Sequence, residues 1–340
     1  MITIDFPKTH AVGFNIIDCE VRSRSIVYLL LRLDYTQEPG WRDGREPPAE
    51  GRLQKRLLAL QIDNPDKRQW GVVRLDGLDT SMCSMAFAPK EQLIVVAMDS
   101  EVWAQNASTN GFEKRTPPLR DGGIKRGALL RARSFGAELV ACTNGRDVLI
   151  RSGPEKWVRL GPEIPFTYDP DDPQDCGFKD FDAFSPTDMY AAGGAGDVWQ
   201  FNGSDWRQCA FPTNWGLSAV CCAGDGHVYI NAGFNTLYRG SGDRWTALQA
   251  AGDSGLAIKD LVWYEGKLWA TNDYGLWTLQ GDTLQEADVP SDVKLCSGNL
   301  ATRDGLLLVA GYGGAAFKRD GQWTLIYHDH ALRELAAKRS

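Results

Sequence analysis

Four histidines, eight cysteines and one dense run of aspartates are the residues of this 340-residue chain that chemistry would draw on first. His328 and His330 form a His-Asp-His run near the C-terminus. It would need a third ligand from elsewhere to hold a metal, and its ordinary reading is a solvated strand end or helix start. His10 lies near the N-terminus, and His227 opens an apolar run just after a turn. Cys19, Cys83, Cys142, Cys176, Cys209, Cys221, Cys222 and Cys296 include no CxxC pair, and most lie inside apolar runs. They read as reduced, buried thiols, with Cys176, in a polar loop, expected to be the exposed one. HExxH, the phosphate-binding Gly-rich loop and GxSxG are all missing. No catalytic, cofactor-binding or metal-binding residue is assigned on this basis.

The aspartates are denser. Residues 166–182 read FTYDPDDPQDCGFKDFD, in which Asp169, Asp171, Asp172, Asp175, Asp180 and Asp182 face one cation, Lys179. This run carries most of the chain's formal net charge of −7. A solvated loop is the plain reading. A calcium loop of the helix–loop–helix type lacks its central Gly and its terminal Glu. A docking surface for a basic partner would use the charge to speed encounter and set specificity. The acidic balance, with a pI near 5.2, argues against nucleic acid as a partner. The N-terminus MITIDFPKTH shows no basic segment leading into an apolar one, and the longest apolar runs are too short to span a membrane. A cytoplasmic protein with no membrane partner is expected.

The elements that must position these residues are strands in a repeat. Phe178–Phe211, Leu217–Gln249, Ala257–Val289 and Leu295–Tyr327 recur about every 40 residues, each with four short apolar runs between turn residues. Asp225-Gly226, Glu265-Gly266 and Asp304-Gly305 separate the first run from the second, where a two-residue hairpin needs positive φ. The third run carries Val198-Trp199, Leu237-Tyr238, Leu276-Trp277 or Ala316-Phe317, and a large residue follows about seven positions later, at Trp206, Trp245, Leu284 or Trp323. Aromatics at fixed repeat positions predict packing between neighbouring units. The first half follows more loosely. The pattern predicts an all-β fold: one seven-bladed β-propeller of four-stranded antiparallel blades, with a short C-terminal helix. The blades fall at about 10–76, 81–118, 127–162, 178–211, 217–249, 257–289 and 295–328, in a single domain spanning 1–340. A polar insertion, about Thr36–Gln54, interrupts the first blade. Ile2–Phe6 is expected as a strand closing the ring beside the last blade, and a helix from Asp329 is expected to be capped by that residue, with Leu332 and Leu335 on one face.

In a four-stranded blade the turn from the second strand to the third shares a face with the link to the next blade. The acidic run is such a link. It therefore shares a face with Asn144, Arg146, Asp197, Phe234, Asn235, Asp273, Tyr274 and Tyr312. The candidate partner-binding residues are Tyr168, Asp169, Asp171, Asp172, Asp175, Trp215, Phe234, Asp273, Tyr274 and Tyr312. Their aromatics are of the kind that anchor interfaces, although packing between loops is an equal reading. Thr271–Trp277 partly resembles the Asp box of sialidase-type propellers but lies between the second and third strands, where a hairpin turn suffices.

The third-strand aromatic followed by a turn and a Trp, over about residues 81–328, resembles the Trp-rich bacterial propellers. The WD dipeptide and Gly-His signature of WD40 repeats are missing. In size, acidity and the lack of an export signal the chain also resembles propeller-type immunity proteins of bacterial toxin-secretion (type VI) systems. That resemblance implies a non-catalytic protein without a cofactor that binds and neutralises a toxin, for which a basic nuclease is the natural counterpart. Two other functions compete. One is a lyase or glycosidase working in the central funnel, for which Asp180, Asp182, Lys259 and Asp260 are the charged inner-strand residues. The other is a scaffold in a larger assembly.

Overall fold

The computed structural model describes residues 2–37, 46–65, 68–106, 108–114, 125–166, 177–234, 236–248 and 257–338. They form seven four-stranded sheets, and every sheet takes its strands in chain order. Blade 1 is β1 Phe14–Ser23, β2 Ile26–Leu33, β3 Lys55–Gln61 and β4 Trp70–Leu75. Blade 2 is β5 Ser81–Ala86, β6 Gln92–Ala97, β7 Val102–Gln105 and β8 Asn110–Glu113. Blade 3 is β9 Leu129–Phe135, β10 Glu138–Thr143, β11 Val148–Gly153 and β12 Lys156–Arg159. Blade 4 is β13 Asp180–Ser185, β14 Asp188–Gly193, β15 Asp197–Phe201 and β16 Trp206–Gln208. Blade 5 is β17 Leu217–Cys222, β18 Val228–Ala232, β19 Thr236–Ser241 and β20 Arg244–Ala247. Blade 6 is β21 Asp260–Tyr264, β22 Lys267–Asn272, β23 Gly275–Gln280 and β24 Thr283–Glu286. Blade 7 is β25 Asn299–Arg303, β26 Leu306–Gly311, β27 Gly314–Arg319 and β28 Gln322–His328. The helices are α1 Asp5–His10, α2 Ser291–Lys294 and α3 Asp329–Ala337. This is the seven-bladed architecture that the repeat predicts. The hairpin chemistry holds at two of the three turns: Glu265-Gly266 has φ of +48° and +71°, and Asp304-Gly305 has +50° and +74°. At Asp225-Gly226 only the glycine, at +83°, is left-handed, because the connection from β17 to β18 is longer than a two-residue hairpin.

The chain divides into two compact units. The first holds blades 1 and 7, α1, α3 and the turn Asp273–Leu276. Its core joins Phe14, Ile16, Leu29 and Leu31 of blade 1 to Leu306, Leu308 and Phe317 of blade 7. Ile2–Phe6 is not the strand that was expected: α1 occupies Asp5–His10, and β28 pairs only with β27 among the described residues. Pro7, which donates no backbone hydrogen bond, is tolerated in the first turn of a helix but interrupts a strand ladder. The Phe6 ring instead stacks on Trp70 at 5.9 Å, and Trp70 Nε1 donates to the Thr3 carbonyl at 3.0 Å. At the other end His328, not Asp329, is the N-cap of α3. Asp329 accepts from Arg333 Nε one turn on, at 2.5 Å, and of the two leucines only Leu332 is buried.

The polar insertion connects β2 to β3, so it belongs to the second-to-third-strand side of blade 1. Lys55, fully buried, fastens its base by donating to the carbonyls of Glu50 (2.7 Å), Leu53 (3.3 Å) and Leu78 (2.6 Å). Trp41, inside the insertion, lies outside the described residues.

The second unit holds blades 2 to 6, apart from that turn and the first two residues of β5. Its repeated aromatics join neighbouring blades, as their spacing predicts. Trp206 of blade 4 packs on Phe178 and Phe201 and donates Nε1 to the Leu160 carbonyl, beyond blade 3, at 2.8 Å. Trp245 of blade 5 meets Tyr190 of blade 4 edge to face at 6.3 Å. Between blades 2 and 3, Arg151 is buried against Glu113 and donates Nη2 to Gln92 Oε1 at 3.0 Å. Among the described residues seven cysteines are thiols outside any disulfide, all buried except the half-buried Cys222. Burial pushes the Cys209 thiol up to about 11 and Cys296 up to about 12, so neither offers a thiolate near neutrality. Cys176 is outside the described residues. Among the described residues no helix is long and apolar enough to cross a membrane.

Candidate functional site

Two kinds of feature stand out: aromatic side chains exposed at turns, and a charged cluster on the inner strands. Of the candidate partner-binding residues, Tyr168, Asp169, Asp171, Asp172 and Asp175 lie outside the described residues. The rest divide between the two units.

In the second unit, Trp215 (54% exposed) precedes β17 and Phe234 (73% exposed) follows β18, so paired strands deliver them side by side. The Trp215 ring lies over Gly233, whose φ is +60°; a Cβ there would come within 2.7 Å of Trp215 Cε3. Glycine is thus required twice, for the turn and for the ring above it. The Trp215 backbone is pinned too: its carbonyl accepts from Gly196 N at 3.0 Å and its N–H donates to Thr213 Oγ1 at 3.2 Å. Beside it runs an open groove of about 730 Å³ lined by Ala195, Gly196, Gln208, Cys209, Phe211 and Asn214, among others. The aromatic pair and groove carry no charged side chain among these residues. The charged groups expected nearby are spent on each other. Arg146 Nε donates to Asp197 Oδ2 at 2.6 Å, and Asp197 Oδ1 accepts from Trp199 Nε1 at 2.8 Å.

In the first unit, Asp273 and Tyr274 (80% exposed) form the turn between β22 and β23, and Tyr312 (45% exposed) forms that between β26 and β27. Leu295, 54% exposed at the end of α2, has its carbonyl within 2.0 Å of where a Cβ on Gly313 would sit, so it stands beside the Tyr312 turn. Sequence reasoning passed over it because a single leucine in a link carries no signal.

The inner-strand cluster joins blades 3, 4, 5 and 6. Arg131 Nη2 donates to Asp260 Oδ1 at 2.7 Å. Arg133 spans two carboxylates, reaching Asp180 Oδ2 at 2.9 Å and Asp260 Oδ1 at 3.1 Å. Asp180 Oδ2 also accepts from Val220 N, and Asp182 Oδ2 from Cys222 N, both at 2.8 Å. Burial disfavours charge on Arg133, but Asp180 and Asp260 outweigh it and hold the guanidinium protonated. Burial pushes the Asp182 carboxyl above its ordinary range, opposed by Arg133 and by the backbone N–H groups of Cys222 and Ala183. The three inner-strand aspartates therefore serve as ion-pair and backbone acceptors. Lys259 donates its backbone N–H to Thr271 and precedes β21. Arg131 and Arg133 were missed in the sequence, although both stand in the first strand of their blade.

Seven blades of four strands each, taken in chain order, define a seven-bladed β-propeller. Two solved propellers match the fold: the WD40 β-propeller domain of Doa1 (TM-score 0.58, 12% identity, 91% of this chain and 94% of that one) and YCF48 bound to D1 peptide (TM-score 0.59, 14% identity, 90% and 93%). No protein-family model matches the chain. The immune protein Tsi7 of Pseudomonas aeruginosa is 30% identical over 244 residues, covering 70% of this chain and 76% of Tsi7, and the chain belongs to the family of that protein.

Proposed function

We propose that the chain is a non-catalytic immunity protein that binds a cognate bacterial toxin and neutralises it in the cytoplasm of the cell the toxin would attack. The observation that carries this reading is membership of the Tsi7 family. The absence of catalysis is supported by the commitment of Asp180, Asp182 and Asp260 to arginines and backbone N–H groups, which leaves acid–base chemistry little to use. The toxin is a protein partner delivered by a secretion system of the type VI kind, and its surface is basic. The net charge of −7 and the aspartates at 169, 171, 172 and 175 support that, and a nuclease carries such charge for its own substrate. Trp215 and Phe234 are the contact anchors in the second unit, and Asp273, Tyr274 and Tyr312 are those in the first; Tyr168 joins them from the acidic link.

The test is co-expression. A toxin reading frame adjacent to this gene, induced in a bacterial host, should arrest growth alone and not with this protein present, and the two proteins should co-purify. Arrest that persists with soluble immunity protein present, and no complex on size-exclusion chromatography, would overturn the reading.

A further inference from the structure

Beneath Trp215 and Phe234 lies a polar relay built on a fully buried asparagine. Asn231, fully buried near the end of β18, donates Nδ2 to Ser218 Oγ at 2.9 Å and to the Gly233 carbonyl at 3.2 Å. Ser218, on β17, donates its hydroxyl to the Ile258 carbonyl at 2.7 Å. Ile258 lies two residues before Asp260, the carboxylate that Arg131 and Arg133 share. Gly233 in turn donates its N–H to the Gly216 carbonyl at 2.9 Å, next to Trp215. The two residues that frame the aromatic pair, Gly216 and Gly233, are thus bonded to each other and tied down to the inner strands.

Asn231 is an expensive way to do this. Its Oδ1 is buried with no hydrogen-bond partner among the described residues. An apolar side chain would avoid that penalty and suit the core on its own face of the sheet, where Ala219 and Leu237 stand opposite it on the neighbouring strands. A buried polar group that breaks the local rule is expected where a shape has to be held. What it holds is the turn under two large, exposed rings, whose immobilisation otherwise falls on the partner at the moment of binding.

We infer that Asn231 and Ser218 are positioning residues for partner recognition, setting the Trp215–Phe234 pair in its binding shape before the toxin arrives. This rests on the reading that the toxin docks on that pair. A turn that is only partly in its binding shape lowers the competent fraction of molecules, which slows association and leaves dissociation from the finished complex unchanged. Loss of the ring itself does the opposite, because it removes contact from the complex.

The experiment measures association and dissociation rates against the purified toxin domain from the adjacent reading frame, carried in an inactivated form. Asn231→Ala and Ser218→Ala are each expected to slow association about three- to tenfold at unchanged dissociation, and Ser218→Thr, which keeps the hydroxyl, to restore it. Trp215→Ala is expected to speed dissociation about thirtyfold or more. Asn231→Ala added to Trp215→Ala should cost little more, since the ring that it positions is gone. A second arm needs no partner: hydrogen exchange at the Gly233 amide should quicken in Asn231→Ala, while the amides of β18 keep their protection. An unchanged Gly233 amide, or an Asn231→Ala effect on dissociation that adds fully to Trp215→Ala, overturns the inference. A harmless Trp215→Ala in a complex that forms sinks the docking assignment, and no complex at all, with Gly233 behaving as expected, sinks the toxin-binding reading while leaving the positioning intact.

Discussion

Asp260 and His10 show how individual side chains set the stability of the two units. Asp260 is buried and takes hydrogen bonds from Arg131, Arg133 and the Leu261 N–H. Asp260→Asn leaves the two guanidinium groups with Asp180 as their carboxylate in that contact set, and breaking a buried pair in this way costs about 3 kcal/mol. Denaturant unfolding of the variant should show a lower midpoint at unchanged slope. His10 works through pH. Burial, with Arg56 and then Arg74 nearby, lowers its pKa from the ordinary 6.5. The unfolded chain then takes up the proton first as pH falls, so the stability contributed by neutral His10 is present above the ordinary histidine value and is lost as pH falls through the lowered one. Between pH 7.5 and 5.5 the wild type should lose more unfolding free energy than His10→Gln; equal losses would show that another group governs the slope.

At the scale of elements, α1 is the piece whose role differs most from what its sequence suggests. Ile2, Ile4 and Phe6 alternate with polar residues as a half-buried strand would, yet Asp5–His10 is helical, and Phe6 reaches Trp70 on the outer strand β4. Phe6→Ala is expected to cost about 2 kcal/mol, read by thermal unfolding, because the half-buried ring leaves a partly solvated gap. The strands themselves were legible because short apolar runs bounded by turn residues, recurring about every 40 residues, are a local signal. So were Trp206 and Trp245, whose spacing repeats. The charged cluster was half legible. Asp180, Asp182 and Asp260 were visible as charges in apolar strands, whereas their partners Arg131 and Arg133 lie 47 to 129 residues away, a separation that no local pattern reports. Trp215 and Phe234 were named from topology, but the relay beneath them depends on side-chain geometry alone.

For the whole molecule, the sign of the charge matters more than any one pair. A net charge of −7 facing a basic toxin predicts an association rate that falls several-fold between about 50 and 500 mM salt, with dissociation little changed, since long-range attraction is screened and short contacts are not. A salt-independent association rate would point to a neutral partner surface. A different consequence follows from the way each blade is made. Every blade is one unbroken stretch of chain, no strand is exchanged between the first and the last among the described residues, and α1 touches α3. The order of blades along the gene is therefore not imposed by the fold. A circular permutant that joins the old ends by a short linker and opens between Asp288 and Val289 should fold and bind as the parent does, whereas a propeller sealed by a shared sheet would lose its closure when its chain is cut elsewhere.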